Sequence, residues 1–325
     1  MSLKKVIAAL KRKNNFLITA HVNLEGDALG SEIGIYRLLR VMGKRAAIVN
    51  DDVVPYGYDF LPETKNICRL RQGILKLNFD CLVVLDCSDL RRSGEMAKIG
   101  LKGKTIINID HHIGNEMFGQ ENWVEPHLSS ASEMVYMLYK KLGIAFDKNS
   151  ALALYIGMLT DTGSFHYSNT SSATHRAVAE LMEFGLDING IYRHIYETIP
   201  FSDMKLLSMI LPKIKRLAQG KIIWFELERK MWRSKKIFFD LSEHILSFGR
   251  SIKGSEIVCL FKENLGTQNE IRVNFRSHGR VDVNRIARIF GGGGHKTASG
   301  CTVRGRLSEV RRKVLAQVKE AVDKL

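Results

Sequence analysis

Asp110, His111 and His112 stand in a row directly after the apolar run Ile106, Ile107 and Ile109. A buried strand that ends on one carboxylate and two imidazoles aims metal-capable side chains at a site, because ligands of open α/β sheets sit at the carboxyl ends of the strands. Taken alone, these three residues fit a polar turn with a satisfied histidine pair equally well. Other stretches end the same way. Phe16 to Ala20 is a short apolar strand leading into His21, with Glu25 and Asp27 four and six residues on. Asp80 to Leu85 reads as a buried strand ending in Asp86, with Arg91 and Arg92 just beyond. The apolar stretch from Ala151 ends in Asp161, and Thr162 and Gly163 make the turn.

The four stretches together offer His21, Glu25, Asp27, Asp86, Asp110, His111, His112 and Asp161, about six of them as ligands, a set that mixes carboxylate and imidazole. That mixture suits Mn2+, Fe2+ or Zn2+ better than Ca2+. The number of ligands makes two ions sharing a bridging carboxylate the economical arrangement. Two metals ~3.5–4 Å apart are the usual device for hydrolysing phosphate esters. The blander reading of Glu25 and Asp27 is electrostatic, since acidic residues are favoured at a helix N-terminus.

The elements that must position these groups alternate. The strand at 16–21 is followed by a glycine turn through Gly26 and Gly30 and then a helical pattern through Ile33, Tyr36, Leu38, Leu39 and Met42. Ala46 to Val49 reads as a second strand, 105–109 as another, Ser130 to Leu142 as a helix, and 151–161 as an apolar helix. Alternating strands and helices imply an α/β fold with a mostly parallel sheet, which brings the strand ends together. From Asp187 the spacing of Ile188, Ile191, Tyr192, Ile195 and Tyr196 is helical until Pro200 breaks it. The expected organisation is a metal-binding domain over 1–186, a helical linker or hinge over 187–208, and a second domain over 209–325. Strand candidates in the second domain start at Ile222, Glu256 and Glu270. Helix candidates lie near Ser242–Ile252, Asn284–Phe290 and Leu307–Val322.

The 325 residues suit two domains better than one. With 45% hydrophobic and 26% charged residues the composition is that of an ordinary globular protein. No apolar run reaches membrane-spanning length, so no membrane partner is expected. Met1 to Lys13 reads as a first helix and not as a signal peptide. Five cysteines form no C-x-x-C pair, which points to a reducing compartment and a cytoplasmic location. The net charge is +15, and it is unevenly placed: residues 1–186 carry 22 Lys and Arg against 20 Asp and Glu, and residues 187–325 carry 27 against 14. A basic domain attached to a nearly neutral one suggests a polyanionic partner, nucleic acid or nucleotide first.

In that basic part runs Phe290-Gly-Gly-Gly-Gly-His-Lys-Thr-Ala-Ser-Gly. It is neither a Walker A loop nor G-x-G-x-x-G. Gly291, Gly292, Gly293 and Gly294 would let backbone N–H groups approach an anion, with His295 as a further donor and Lys296 as a charge. Arg272 and Arg276 on the preceding strand would add bidentate phosphate contacts. A flexible surface loop is the alternative.

Together these stretches resemble the DHH–DHHA1 phosphoesterase family, and within it the nanoRNase group, bifunctional oligoribonucleases and 3′-phosphoadenosine 5′-phosphate (pAp) phosphatases. The motifs are Asp110-His111-His112, His21 through Gly26-Asp27-Ala28 to Gly30-Ser31, Asp86, Thr160-Asp161-Thr162-Gly163, and Gly291 to His295 with Ala298 and Gly300. The resemblance covers nearly the whole chain. It implies an N-terminal DHH domain with a mostly parallel sheet flanked by helices, and a C-terminal DHHA1 α/β domain with a mixed sheet. It implies metal ligation by His21, Asp27, Asp86, His111 and Asp161, with Asp86 bridging. His112 would lie near the scissile phosphate, and Asp110 would orient the histidines. His295, the glycine run and Arg276 would hold the terminal nucleotide phosphate. The metals implied are two Mn2+, with Mg2+, Fe2+ or Zn2+ as substitutes. Leu24-Glu25 stands where the family usually has Pro-Asp, and His166 stands where an arginine is common.

The expected function is hydrolysis of short oligoribonucleotides to mononucleotides and dephosphorylation of pAp, at a site in the cleft between domains. The partner would be short single-stranded RNA or DNA, or a nucleotide, and a homodimer is suggested. A cyclic-dinucleotide phosphodiesterase, and a nucleotide-binding protein whose catalysis is impaired by Glu25, are the alternatives. A long-strand exonuclease would be expected to be longer and to carry an extra single-strand-binding domain, and an inorganic pyrophosphatase fits the glycine-rich domain less well.

Overall fold

The computed structural model describes residues 2–70, 78–232, 241–263 and 269–325. The chain divides into two compact units, Met1–Thr198 and Ile199–Leu325.

The first unit runs α1 (Ser2–Arg12), β1 (Asn15–Thr19), α2 (Gly26–Val41), β2 (Arg45–Asn50), β3 (Cys68–Arg69), β4 (Cys81–Leu85), β5 (Thr105–Asp110), β6 (Glu121–Val124), α3 (Ala131–Leu142), α4 (Lys148–Asp161), α5 (Ser172–Met182) and α6 (Ile188–Tyr196). Its strands lie in the order β3-β2-β1-β4-β5-β6, and every pair is parallel. Parallel sheets are covered on both faces, so their strands are apolar on both sides. The central strands show this. Phe16, Ile18, Val83, Leu85, Ile107 and Ile109 enter the larger core with α1, α2, α3 and α4. Their alternates Leu17, Leu82, Val84 and Ile106 enter a smaller core with Val49 and Met96 on the other face.

From β1 the chain moves to β2 and β3 on one side, then returns to β4 and continues to β5 and β6 on the other. The strand order therefore reverses between β1 and β4. A crevice opens at the carboxyl ends of such a pair, and it is where ligands of open α/β sheets bind. The register sets Thr19 beside Val84 and Leu85 beside Ile109, so β1, β4 and β5 end level with one another.

Gly26 and Gly30 were expected in a turn, but α2 already starts at Gly26. Their role is close packing. A Cβ on Gly30 would fall 2.4 Å from Ala153 O of α4. The two helices touch backbone to backbone, and this brings Asp27 in the first turn of α2 near Asp161 at the end of α4.

The second unit runs α7 (Phe201–Ile210), β7 (Lys215–Leu217), β8 (Ile222–Leu227), α8 (Arg229–Trp232), α9 (Ser242–Arg250), β9 (Ile257–Glu263), β10 (Glu270–Ser277), α10 (Val283–Ile289), β11 (Gly293–Gly294), β12 (Ala298–Arg304) and α11 (Leu307–Asp323). Its sheet has the order β11-β12-β10-β9-β8-β7 and is mixed, with β8 and β9 parallel and the other pairs antiparallel. One face packs on α10 and α11 through Ile286, Val310, Val314 and Val318. The other packs on α7 and α9 through Leu206, Leu207, Ile245 and Leu246.

The stretch 187–208, expected as a separate linker, is shared between the units. Ile191 and Ile195 of α6 are buried in the first core, and α7, capped at Pro200, buries Leu206 and Leu207 in the second. Among the described residues no helix is long and apolar enough to cross a membrane.

Candidate metal centre

Each ligand candidate of the first unit leaves an element that aims it at the crevice. β1 is followed by His21, β4 by Asp86, and β5 ends in Asp110 with His111 and His112 behind it. Asp86 sits in the left-handed region, with φ 50°, and its amide donates to Ile109 O at 3.0 Å. Aspartate tolerates that conformation better than most residues. It turns the carboxylate back over the strand end instead of letting the strand continue.

Asp86 is 1% exposed and stands in the middle of the group. Its Oδ2 lies 3.2 Å from His21 Nε2, which is itself 3.8 Å from Glu25 Oε1. Its Oδ1 lies 3.4 Å from His111 Nε2. That nitrogen is in turn 3.7 Å from Asp27 Oδ2 and 3.6 Å from Asp161 Oδ2. Asp86 Oδ1 is buried and has no hydrogen-bond partner among the described residues. Most of these separations exceed a good hydrogen bond. They run from the edge lengths of a coordination polyhedron to a few tenths of an ångström beyond them. Two ligand atoms ~2.1 Å from one ion are about 3.0 Å apart at a right angle and about 3.4 Å apart at a tetrahedral angle. The donor set thus fits cations on both sides of Asp86, one toward His21 and Glu25, one toward Asp27, His111 and Asp161.

The histidines are oriented for this. His21 Nδ1 donates to Val22 O at 2.8 Å and His111 Nδ1 to Leu128 O at 3.3 Å. A carbonyl only accepts, so Nδ1 carries a proton and Nε2 is the nitrogen turned to the crevice, where it offers a lone pair once deprotonated. His112 Nδ1 instead meets Asp110 Oδ1 at 2.7 Å, which directs its Nε2 away from the carboxylate.

Electrostatics tell the same story. Burial opposes the charge on Asp86, but His111 and His21 hold its carboxyl well below the usual range. Burial would pull His21 down, yet Asp86 and Glu25 push it up to about 10. Burial and then the Asp86 charge push Asp27 up to about 7, and burial above all raises Asp161. Asp110 is held at about 2, because the neighbouring His112 outweighs its burial. Without a cation the site must gather protons, and metal ions take the place of such protons when they bind.

Glu25 precedes α2 without a side-chain capping bond, and its side chain is 56% exposed. The extra methylene still brings its carboxylate to the His21 side of the group. His166 is exposed, with Nδ1 donating to Gly163 O and the ring against Tyr167.

Several residues that hold the ligands carry no motif. Asn115 Nδ2 donates to Asp110 Oδ2 at 2.6 Å and to Asn108 Oδ1 at 2.8 Å. Asn169 Nδ2 donates to Asp161 O at 3.1 Å. Asn50 Oδ1 accepts from Ala20 N at 3.3 Å, just before His21, while its Nδ2 donates to the buried Glu32 at 2.9 Å. The one sequence signal was a polar residue inside an apolar element, as Asn108 is in β5 and Glu32 in α2.

The anion-binding candidates fall in two places. Arg92 lies in the first unit beyond β4, where Nη1 donates to Ser88 Oγ at 3.2 Å, and its charge opposes protonation of His21. The others lie in the second unit. Arg272 and Arg276 share the face of β10 opposite Ile271, Val273 and Phe275. Arg272 Nη1 is 3.4 Å from Thr302 Oγ1, and Arg276 pairs with Glu243 of α9. Lys296 is exposed. Part of the amide set of the glycine run and His295 is engaged in backbone bonds. Gly291 N donates to Arg288 O, Gly292 N to Ala287 O and His295 N to Ala298 O. Gly293 and Gly294 form β11 against β12. A Cβ on Gly292 would fall 2.2 Å from Gly300 O, so glycine is needed there for close approach of two backbones.

The DHH family, N-terminal domain, matches residues 15–158, and the DHHA1 domain matches residues 234–324. The bifunctional oligoribonuclease and PAP phosphatase NrnA of Thermus thermophilus is 30% identical over 308 residues, covering 93% of this chain and 89% of that protein. The protein of that name from Bacillus subtilis is 26% identical over 303 residues, 92% of each. Among solved structures, an exopolyphosphatase-related protein from Bacteroides fragilis superposes with a TM-score of 0.86 at 28% identity, covering 99% of this chain and 96% of that one. With both domain matches in order and a relative at this identity over nine-tenths of the sequence, the chain belongs to the DHH–DHHA1 family.

Proposed function

We propose that the chain is a two-metal phosphoesterase that hydrolyses short oligoribonucleotides to mononucleotides and removes a phosphate from pAp. The observation that carries this reading is Asp86, a buried carboxylate with His21 3.2 Å from one oxygen and His111 3.4 Å from the other. The names of the relatives from Thermus thermophilus and Bacillus subtilis supply the substrate class.

His21, Glu25 and Asp86 would hold one ion, and Asp27, Asp86, His111 and Asp161 the other, with Mn2+ preferred. When bound, such a pair lowers the pKa of water and neutralises charge on the phosphoryl oxygens. The protein's own work is orientation and proton handling. Val22 O and Leu128 O fix the faces of His21 and His111. Asp110 anchors His112 through Nδ1, and His112 Nε2 would donate to a phosphate oxygen. A histidine held in this way is placed to protonate a leaving alkoxide. Arg92 adds positive charge on the strand-end side. In the second unit Arg272, Arg276, His295 and Lys296, with the glycine run, would bind the phosphate of the terminal nucleotide.

The test is turnover of a linear RNA dinucleotide, a cyclic dinucleotide and pAp side by side with Mn2+, and again after chelation. Loss of the linear and pAp activities on chelation supports the reading. A marked preference for the cyclic substrate replaces it. Activity that appears only in Glu25→Asp would mean that the chain binds nucleotides without efficient catalysis.

A further inference from the structure

The loop ahead of α3 and the first residues of that helix contact several groups of the centre. Leu128 O accepts from His111 Nδ1 at 3.3 Å. Ser129 O accepts at 2.9 Å from Asn169 Nδ2, the nitrogen that also donates to Asp161 O. Ala131 N and Ser132 N donate to the two oxygens of Asp27 at 2.7 and 2.9 Å. Residues 128–132 therefore contact Asp27 and His111, and reach Asp161 through Asn169. These are the three side chains grouped with Asp86 Oδ1.

Glu133 ties this loop down. Ser130-Ala-Ser-Glu133 has the form of a capping box, and Ser130 Oγ does accept from Glu133 N at 3.0 Å. In such a box the glutamate reaches back to the N-cap amide. Glu133 reaches one residue further. Its Oε2 accepts from Ser129 N at 2.9 Å, from Ser129 Oγ at 2.5 Å, and from Thr174 Oγ1 of α5 at 3.1 Å. Glu133 is 3% exposed and Thr174 0%. A buried carboxylate with no cation beside it needs donors. Here they come from Ser129 in the loop and from Thr174 in the first turn of α5, while Glu133 itself lies in the first turn of α3, where the helix dipole favours an anion. Capping α3 needs neither Ser129 nor Thr174, so the arrangement does more than end a helix.

We propose that Glu133, anchored by Thr174, is a positioning residue for the Asp27–His111–Asp161 group: its loss weakens cation binding there and spares the His21–Glu25 side. This rests on the two-ion reading above. Without Glu133, three buried donors lose their acceptor. Leu128 O and Ser129 O are then no longer fixed, and His111 and Asn169 lose their orientation.

The test is Mn2+ binding to the full chain, followed by the EPR signal of free Mn2+, for the unmodified protein, Glu133→Ala, Glu133→Gln and Leu138→Ala. Leu138 is a fully buried residue of the same helix and controls for lost stability. The expected result is two sites in the unmodified protein. In Glu133→Ala one of them is weakened about 10–100-fold, the usual effect of removing a partner that orients ligands. The other stays intact, and adding His21→Ala removes it. Glu133→Gln keeps an oxygen for the donors and loses less. Equal weakening of both sites, or the same pattern in Leu138→Ala, would overturn the assignment. A single site in the unmodified protein would overturn the two-ion reading, and the assignment with it.

Discussion

At the scale of single residues, the site works because each imidazole has one nitrogen committed to an oxygen and the other turned to the crevice. For His112 that oxygen belongs to Asp110, whose second oxygen is held by Asn115 at 2.6 Å. Asn115→Ala leaves the ligands untouched but frees Asp110, so kcat should fall about 10–100-fold with little change in KM. Steady-state kinetics on a dinucleotide checks this. Glu32 gives a prediction that needs no substrate. Burial pushes its carboxyl up to about 8, against the hydrogen bond from Asn50. Its ordinary value is about 4.3. The folded chain binds this proton more tightly than the unfolded one does. The contribution is therefore complete below pH ~4 and is lost as pH rises through about 8. Thermal unfolding of the metal-free protein should show Glu32→Gln gaining on the unmodified chain from pH 5 to pH 9. A constant gap would contradict it. The ligand candidates were legible because histidine and aspartate at the end of an apolar run are conspicuous. Asn115, Asn169 and Glu133 were not, because an amide or a capping glutamate in a polar loop looks ordinary until its partners are known.

At the scale of elements, apolar runs at 105–109 and 222–227 marked strands that the fold contains, and 151–161 falls inside α4. They were readable because a strand covered on both faces is apolar throughout. The start of α2 was not. Gly26 and Gly30 look like turn residues, yet they lie inside the helix, where contact with α4 leaves no room for a side chain. β12 was hidden for a similar reason. Its first residues, Ala298, Ser299 and Gly300, belong to a glycine-rich stretch that reads as a loop, and only pairing with β10 and β11 makes it a strand. The α2–α4 contact sets the distance between Asp27 and Asp161. Gly30→Ala should therefore cost about 1–3 kcal/mol through overpacking. It should also lower metal-dependent activity by more than a stability-matched change such as Leu138→Ala. Denaturant unfolding and kinetics on the same preparations would show it. Unchanged activity per folded molecule would mean that the helix contact does not set the site.

At the scale of the whole molecule, the charge is divided as the chemistry is. The ligand groups lie in the nearly neutral N-terminal part, and most of the excess of +15 lies beyond residue 186. If the second unit binds nucleotide phosphate, KM for a short oligonucleotide should rise steeply with salt, while kcat, set by the first unit, should change little. A kcat that falls in parallel would contradict that division. The domain pair and the site class were legible from widely spaced motifs that only a common crevice explains. The amide bonding of the glycine run was not, since four glycines in sequence say that backbones come close but not what they meet.

The claim on which the rest depends is that Asp86 stands between two cation sites. The direct measurement is anomalous diffraction at the manganese edge from crystals grown with Mn2+. Two peaks ~3.5–4 Å apart, one on the His21 side of Asp86 and one on the His111 side, are the predicted result. A single peak, or a pair that does not share Asp86, would contradict it.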